Sequence, residues 1–148
     1  MTESKIITGY FLTKREDLLI NACFCTILAQ NQYLEIKLAT KFEDSRFRNW
    51  LHFGNLLEFE LKKTRKHWIL VGLELKYRLE VESWPYFRFE TLAEMDKILT
   101  KHLHLDQDCT ILKLVYQKLY VLSKLDSIKV KAFLEKFEQD LMQEMGFR

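Results

Sequence analysis

From Leu73 to Glu82 the chain alternates strictly: Leu73, Leu75, Tyr77, Leu79 and Val81 are apolar, while Glu74, Lys76, Arg78, Glu80 and Glu82 are charged. A period of two puts the two sets on opposite faces of a β-strand. Trp68 to Val71 just before it is apolar at every position, so the strand expected over His67 to Glu82 starts covered on both faces and ends half solvated. Four further strands are predicted upstream: Lys5 to Leu12, Leu18 to Leu28, Tyr33 to Thr40 (Leu34, Ile36 and Leu38 inward), and Phe53 to Leu61 (Leu57, Phe59 and Leu61 inward). The expected turns between them are Lys14-Arg15-Glu16-Asp17, Gln30-Asn31-Gln32, a polar loop from Lys41 to Trp50, and Lys62-Lys63-Thr64-Arg65-Lys66. Five antiparallel strands in a segment of this size suit an OB-like β-barrel. An SH3-like barrel and an open meander have the same strand count.

Ser83-Trp84-Pro85-Tyr86 ends the strand region, since proline cannot continue a central strand. Beyond it the apolar spacing changes to three and four. Thr91-x-x-Glu94 has the form of a capping box and opens a helix carrying Leu92, Met95, Ile98/Leu99 and His102/Leu103. A second helix is expected from near Asp106-Gln107-Asp108, with a stripe of Ile111, Leu112, Val115, Leu119 and Leu122. A third is capped by Asp126 or Ser127, with Val130, Phe133/Leu134, Phe137, Leu141 and Met145, and Gly146 stands at its C-cap. The fold class is therefore α+β, an N-terminal five-stranded antiparallel OB-like barrel over 1–83 followed by a three-helix region over 84–148 packed on it.

Composition narrows the class. With 148 residues, 48% of them hydrophobic, the chain can build a core, and disorder is not the default. No apolar run reaches the roughly 20 residues of a membrane span, and the first residues lack a signal core, so the cytoplasm is the expected compartment. The three cysteines include no CxxC pair, and Cys23 and Cys25 read as core thiols. Cys109 could hold a metal with His102 and His104 only if they converged across a helix–helix turn, so a protein without metal or cofactor is expected. No phosphate-loop, dinucleotide, zinc-protease or nucleophile-elbow motif occurs. The carboxylates fall on solvated strand and helix faces, so binding is favoured over catalysis.

Net charge is +2, and the small excess lies with the strands. It is local: Lys41, Arg46 and Arg48 flank Phe42, Phe47 and Trp50 in one loop, and Lys62, Lys63, Arg65 and Lys66 flank Trp68 in the next. Cations on phosphates with aromatic faces on bases are the means by which single-stranded nucleic acid is held. The same residues equally suit core-anchoring aromatics beside ordinary charged turns.

The order of elements and several short segments resemble the bacterial recombination mediator RecO family. Gly9-Tyr10-Phe11-Leu12 and Arg15-Glu16-Asp17-Leu18-Leu19-Ile20 are similar to its first two strands. Leu38-Ala39-Thr40-Lys41 with Ser45-Arg46 and Leu51-His52-Phe53 resembles its basic loop after the third strand. The stretch Phe137-Glu138-Gln139-Asp140-Leu141-Met142-Gln143-Glu144-Met145-Gly146-Phe147 resembles its Phe…Leu-Leu…Leu-Gly helix ending. The chain departs from the family in having Phe42-Glu43-Asp44 where a glycine- and arginine-rich run stands, and it has no four-cysteine zinc module, so it reads as a short form. The resemblance implies binding of single- and double-stranded DNA, strand annealing, and work with single-strand-binding protein, RecF or RecR in loading recombinase. The DNA contacts would be Lys41, Phe42, Arg46, Phe47, Arg48, Lys62, Lys63, Arg65 and Lys66. A different class of function is a protein-interaction module without DNA contact. There the helical part, with Tyr116, Tyr120 and Phe147, would accept an acidic hydrophobic peptide such as the tail of single-strand-binding protein, rimmed by Lys113, Lys118 and Lys124.

Overall fold

The computed structural model describes residues 3–104, 107–108 and 110–146. Five strands close a barrel: β1 (Ser4–Asp17), β2 (Ala22–Ala29), β3 (Gln32–Leu38), β4 (Leu56–Lys63) and β5 (Trp68–Tyr77). The first half of β1 pairs with β4 and the second half with β2, so this one strand serves two neighbours and must bend. Gly9 takes part in both ladders, and a bulge follows between Phe11 and Thr13. A Cβ on Gly9 would lie 2.1 Å from the Leu28 carbonyl oxygen, so only glycine lets the strands approach there.

The ring runs β1-β2-β3-β5-β4 and returns to β1. It is mixed, not purely antiparallel as the alternation suggested. β3 and β5 are parallel, through Lys37 opposite Ile69 and Leu38 opposite Leu70. The cause is arithmetic: a closed ring with an odd number of strands cannot alternate direction all the way round. Because β5 lies beside β3, the meander is excluded and the order is the Greek key of an OB-like barrel.

Two cores follow. Phe11, Cys23, Cys25, Ile27, Ile36, Phe59 and Leu61 are among the side chains filling the barrel. Burial pushes both thiols up, which leaves them protonated and unreactive. Tyr10, Leu12, Leu28 and Tyr33 point outward from the same strands and join Met95, Leu99, Val115, Leu122, Phe133, Phe137 and Leu141 beneath the helices. Apolar residues on both faces of β1 and β2 thus serve two layers. The helices are α1 (Tyr86–His102), α2 (Leu112–Leu122) and α3 (Val130–Glu144). A two-residue strand, β6 (Gln107–Asp108), adds to β3.

Several boundaries differ from the expectation. Lys14 to Asp17 is strand and not turn; the turn is the apolar 18–21, where the Asp17 carboxylate accepts the Leu19 amide at 3.1 Å and Asn21 adopts φ 52°. Leu18 and Leu19 are 88% and 97% exposed, so they belong to the hairpin tip and not to β2. β3 ends at Leu38, and β4 starts at Leu56 and runs through Lys63, so Lys62 and Lys63 are strand residues. β5 stops at Tyr77 because its partner starts at Leu56, directly opposite, and offers nothing beyond. Leu79 and Val81 still turn inward, onto the helical core. α1 opens at Tyr86 behind Pro85, a full turn before Thr91, whose hydroxyl donates to the Phe87 carbonyl inside the helix and caps nothing. Gln107 and Asp108 pair with β3 and α2 begins at Leu112; Asp106 and Cys109 lie outside the described residues. A 3-10 turn (Ser127–Lys129) precedes α3, with no side-chain cap from Asp126. Gly146 has the C-cap geometry read from the sequence, with φ 86°.

Candidate nucleic-acid interface

The β4–β5 hairpin is a tight, self-bonded turn: the Thr64 amide and hydroxyl both donate to the His67 carbonyl, each at 2.9 Å. It presents Arg65 and Lys66 to solvent. Lys62 is exposed on β4, opposite Ser4 on one side and Ile69 on the other. Lys63 faces the other way, and its ammonium lies 5.1 Å from the centre of the Trp68 ring. Lys5 on β1 covers the same ring at 4.2 Å. None of these five cations has an ion pair among the described residues, and no carboxylate occurs in the sequence between Glu60 and Glu74. The result is a positively charged end on the barrel, with Glu3 the acidic residue beside it, its carbonyl accepting the Lys63 amide at 2.8 Å.

The loop after β3 is built differently. Phe42 and Phe47 pack against the barrel core. Lys14 lies over Phe42 at 4.1 Å and Arg46 over Phe47 at 4.7 Å. Arg46 donates to the Val71 carbonyl at 2.9 Å, and Arg48 donates to the Glu43 carbonyl within its own loop. Lys41 is exposed and shares a shallow depression with Glu16, Asp17 and Glu43. Arg46, Phe47 and Trp50 border a cleft with Glu58, Glu60 and Glu74. This loop therefore meets acid at each end. Through Arg46 on Val71, two residues along β5 from Ile69, it joins the outer face that carries Lys62.

The aromatic half of the expected interface is mostly half-buried. Phe42, Phe47 and Trp68 anchor loops to the barrel beneath a layer of cations, so in this conformation none offers a free face for a base. Trp50 is the exposed ring of the group, 42% exposed. Sequence reading missed Lys5, Lys14 and Arg15. Arg15 stacks on Phe24 at 4.5 Å and pairs with Glu35 at 3.2 Å, and His67 meets the same Phe24 ring edge-on at 5.2 Å. The signal was the continuation of β1 through its charged half, which resembles a turn in composition.

On the helices, Tyr116 and Tyr120 are exposed one turn apart on α2, and Tyr116 packs edge-on against Tyr77 of β5 at 6.2 Å. Lys113 and Lys124 lie along the same stripe, and Lys124 donates to the Tyr120 hydroxyl at 2.9 Å. Lys118 does not belong to this rim: it points to α3 and pairs with Asp140 at 2.8 Å. Phe147 lies outside the described residues. Among the described residues no group of three or more His, Cys, Asp or Glu side chains is placed to hold a metal ion, and no helix is long and apolar enough to cross a membrane. No protein-family model matches the chain, and no curated protein matches its sequence.

Proposed function

We propose that this chain is a cytoplasmic nucleic-acid-binding protein of DNA repair and recombination. It would bind single- and double-stranded DNA, help complementary strands anneal and assist the loading of recombinase, as its resemblance to the RecO family implies, with single-strand-binding protein, RecR or RecF as partners. The observation that carries the reading is the cationic end formed by Lys5, Lys62, Lys63, Arg65 and Lys66, without ion pairs among the described residues, at the β4–β5 hairpin of an OB-like barrel. That hairpin is one of the loops with which OB folds hold oligonucleotides. Binding is by phosphate neutralisation, with Arg46 and Arg48 secondary because backbone carbonyls already hold them. No bond is made or broken. Replacing Lys62, Arg65 and Lys66 together by glutamate is expected to abolish oligonucleotide binding at low salt. An unchanged affinity would refute the assignment of this surface.

A second reading is favoured by the Tyr77–Tyr116–Tyr120 surface, which suits a protein-interaction module. An acidic hydrophobic peptide would lay apolar side chains on the tyrosines and carboxylates near Lys113 and Lys124. The two readings separate cleanly, because Tyr116→Ala would weaken the peptide and leave DNA binding unchanged.

A further inference from the structure

The β1–β2 hairpin turns through 18–21 with polar residues at the flanks and aliphatic ones between. The Asp17 carboxylate accepts the Leu19 amide at 3.1 Å and Asn21 takes φ 52°, so the flanking residues close the turn. Leu18, Leu19 and Ile20 are left pointing outward, 88%, 97% and 60% exposed. None of the three packs on either hydrophobic core among the described residues. Beyond Arg15 and Phe24 the two strands pair only with each other, so the tip projects past the rest of the sheet. Exposed aliphatics scattered singly need no explanation, but three in a row on a projecting tip do.

The tip adjoins the cationic barrel end. Arg15 lies opposite Phe24 in the β1–β2 ladder, and the His67 ring at the close of the β4–β5 turn meets Phe24 edge-on at 5.2 Å. The two hairpins are thereby neighbours, and they are the pair of loops with which OB folds hold oligonucleotides. Acid lies at the root of the tip: Glu16, Asp17 and Glu43 border a shallow depression there together with Lys41. Lys14 is paired with Glu16 at 3.5 Å and Arg15 with Glu35 at 3.2 Å, which leaves little positive charge beside the aliphatics. Such a root does not seat phosphate, nor does it suit an anionic membrane, which draws apolar tips flanked by lysine and arginine. Uncharged base faces, brought in by the cations of the next hairpin, fit it better.

We propose that Leu18, Leu19 and Ile20 form an apolar wedge that stacks on the last base pair where duplex DNA opens into a single strand. Lys62, Arg65 and Lys66 would hold the phosphates of the strand beside it. This rests on the nucleic-acid reading and adds a substrate class to it, the junction of single strand and duplex. Leucine and isoleucine serve as such wedges where proteins unstack DNA. At a junction the base beyond the last pair is stacked but unpaired, so displacing it costs less than opening a step inside a duplex. The aliphatic tip then buries its surface against the uncovered pair, which is the favourable part of the exchange.

The test uses the full chain and a labelled duplex with a single-stranded arm, competed at low salt by unlabelled single strand or by closed circular duplex, which has no ends. The junction is expected to bind roughly fivefold or more tightly than either competitor. With 2-aminopurine as the first unpaired base, its fluorescence should rise on binding as that base leaves the stack. Leu18→Ser/Leu19→Ser/Ile20→Ser is expected to melt as the parent does, because the three side chains are exposed, and to bind single strand unchanged. It should lose both the preference and the rise, while Leu18→Met/Leu19→Met/Ile20→Met keeps them. A parent without junction preference, or a serine variant that retains it, would overturn the wedge and leave the phosphate reading standing. Absence of any DNA binding would overturn both. Loss of binding to phosphatidylglycerol vesicles in the serine variant, with junction preference unchanged, would make the tip a membrane anchor and the wedge wrong.

Discussion

The Lys5 ammonium lies 4.2 Å from the centre of the Trp68 ring, joining the start of β1 to the β4–β5 hairpin. With Lys63 over the same ring, the tryptophan is an anchor for two cations and not a surface for bases. Trp68 emission, isolated by replacing Trp50 and Trp84 with phenylalanine, should therefore change little when an oligonucleotide saturates the protein. Strong quenching would mean that the ring is uncovered and stacked.

The two basic loops should contribute unequally. Arg46 and Arg48 spend their guanidinium groups on the Val71 and Glu43 carbonyls, and acid flanks their loop. Lys62, Arg65 and Lys66 have no such ties among the described residues. Reversing Arg46 and Arg48 should weaken oligonucleotide binding by about tenfold or less, whereas reversing Lys62, Arg65 and Lys66 should remove it. Equal losses in a side-by-side titration would contradict this ranking.

Gly9 is the pivot on which β1 changes partners. Gly9→Ala would drive a Cβ into the Leu28 carbonyl, a backbone atom that cannot step aside, and should cost about 3 kcal/mol or more in denaturant unfolding. Asn55→Ala strips the Leu79 amide and the Trp50 carbonyl of their partners and should cost about 1–3 kcal/mol. A loss of only a few tenths in either variant would show that the surrounding backbone relaxes around the change.

Two aspartates should pull the acid stability profile in opposite directions. Lys118 and Lys136 hold Asp140 below the usual carboxylate range, so its contribution is present at neutral pH and is lost as the solution is acidified through that range. Asp140→Asn should lower stability by roughly 1 kcal/mol at neutral pH and leave acid stability nearly unchanged. Asp96 is raised to about 7, so its contribution is complete below about 4 and disappears as pH climbs to about 7. Asp96→Asn should therefore raise the melting temperature at about pH 8 and give no gain at about pH 4. Thermal melts of both variants across pH check the two signs together.

Much of the architecture was legible because the strongest patterns were the ones that decide it. The alternation over 73–77 and the inward sets Leu34/Ile36 and Leu57/Phe59/Leu61 fall where the barrel needs them. Alternation also continued through Leu79 and Val81, where no strand exists, because a side-chain period records which way residues face and not whether a neighbouring strand is there to pair with. The apolar 18–20 looked like strand for the same reason: composition cannot show that Asp17 and Asn21 fold those residues into a tip. The parallel β3–β5 contact follows from closing an odd ring, which is a property of the whole sheet and of no single segment. Lys62, Lys63, Arg65 and Lys66 of the candidate interface were visible as residue types, whereas Lys5 was not singled out. Which cations are already bound to backbone carbonyls, and that the aromatics face inward, depended on contacts between distant segments such as Arg46 with Val71 and Lys5 with Trp68.

The central claim is that an oligonucleotide is held by the cationic barrel end through its phosphates. Fluorescence anisotropy of a labelled single strand with the full chain, repeated over a range of salt concentrations, tests it most directly. Five phosphate contacts predict that the logarithm of affinity falls with the logarithm of salt at a slope of about −3.5, and that Lys62→Glu/Arg65→Glu/Lys66→Glu flattens it. No binding at low salt, or binding indifferent to salt, would contradict the account.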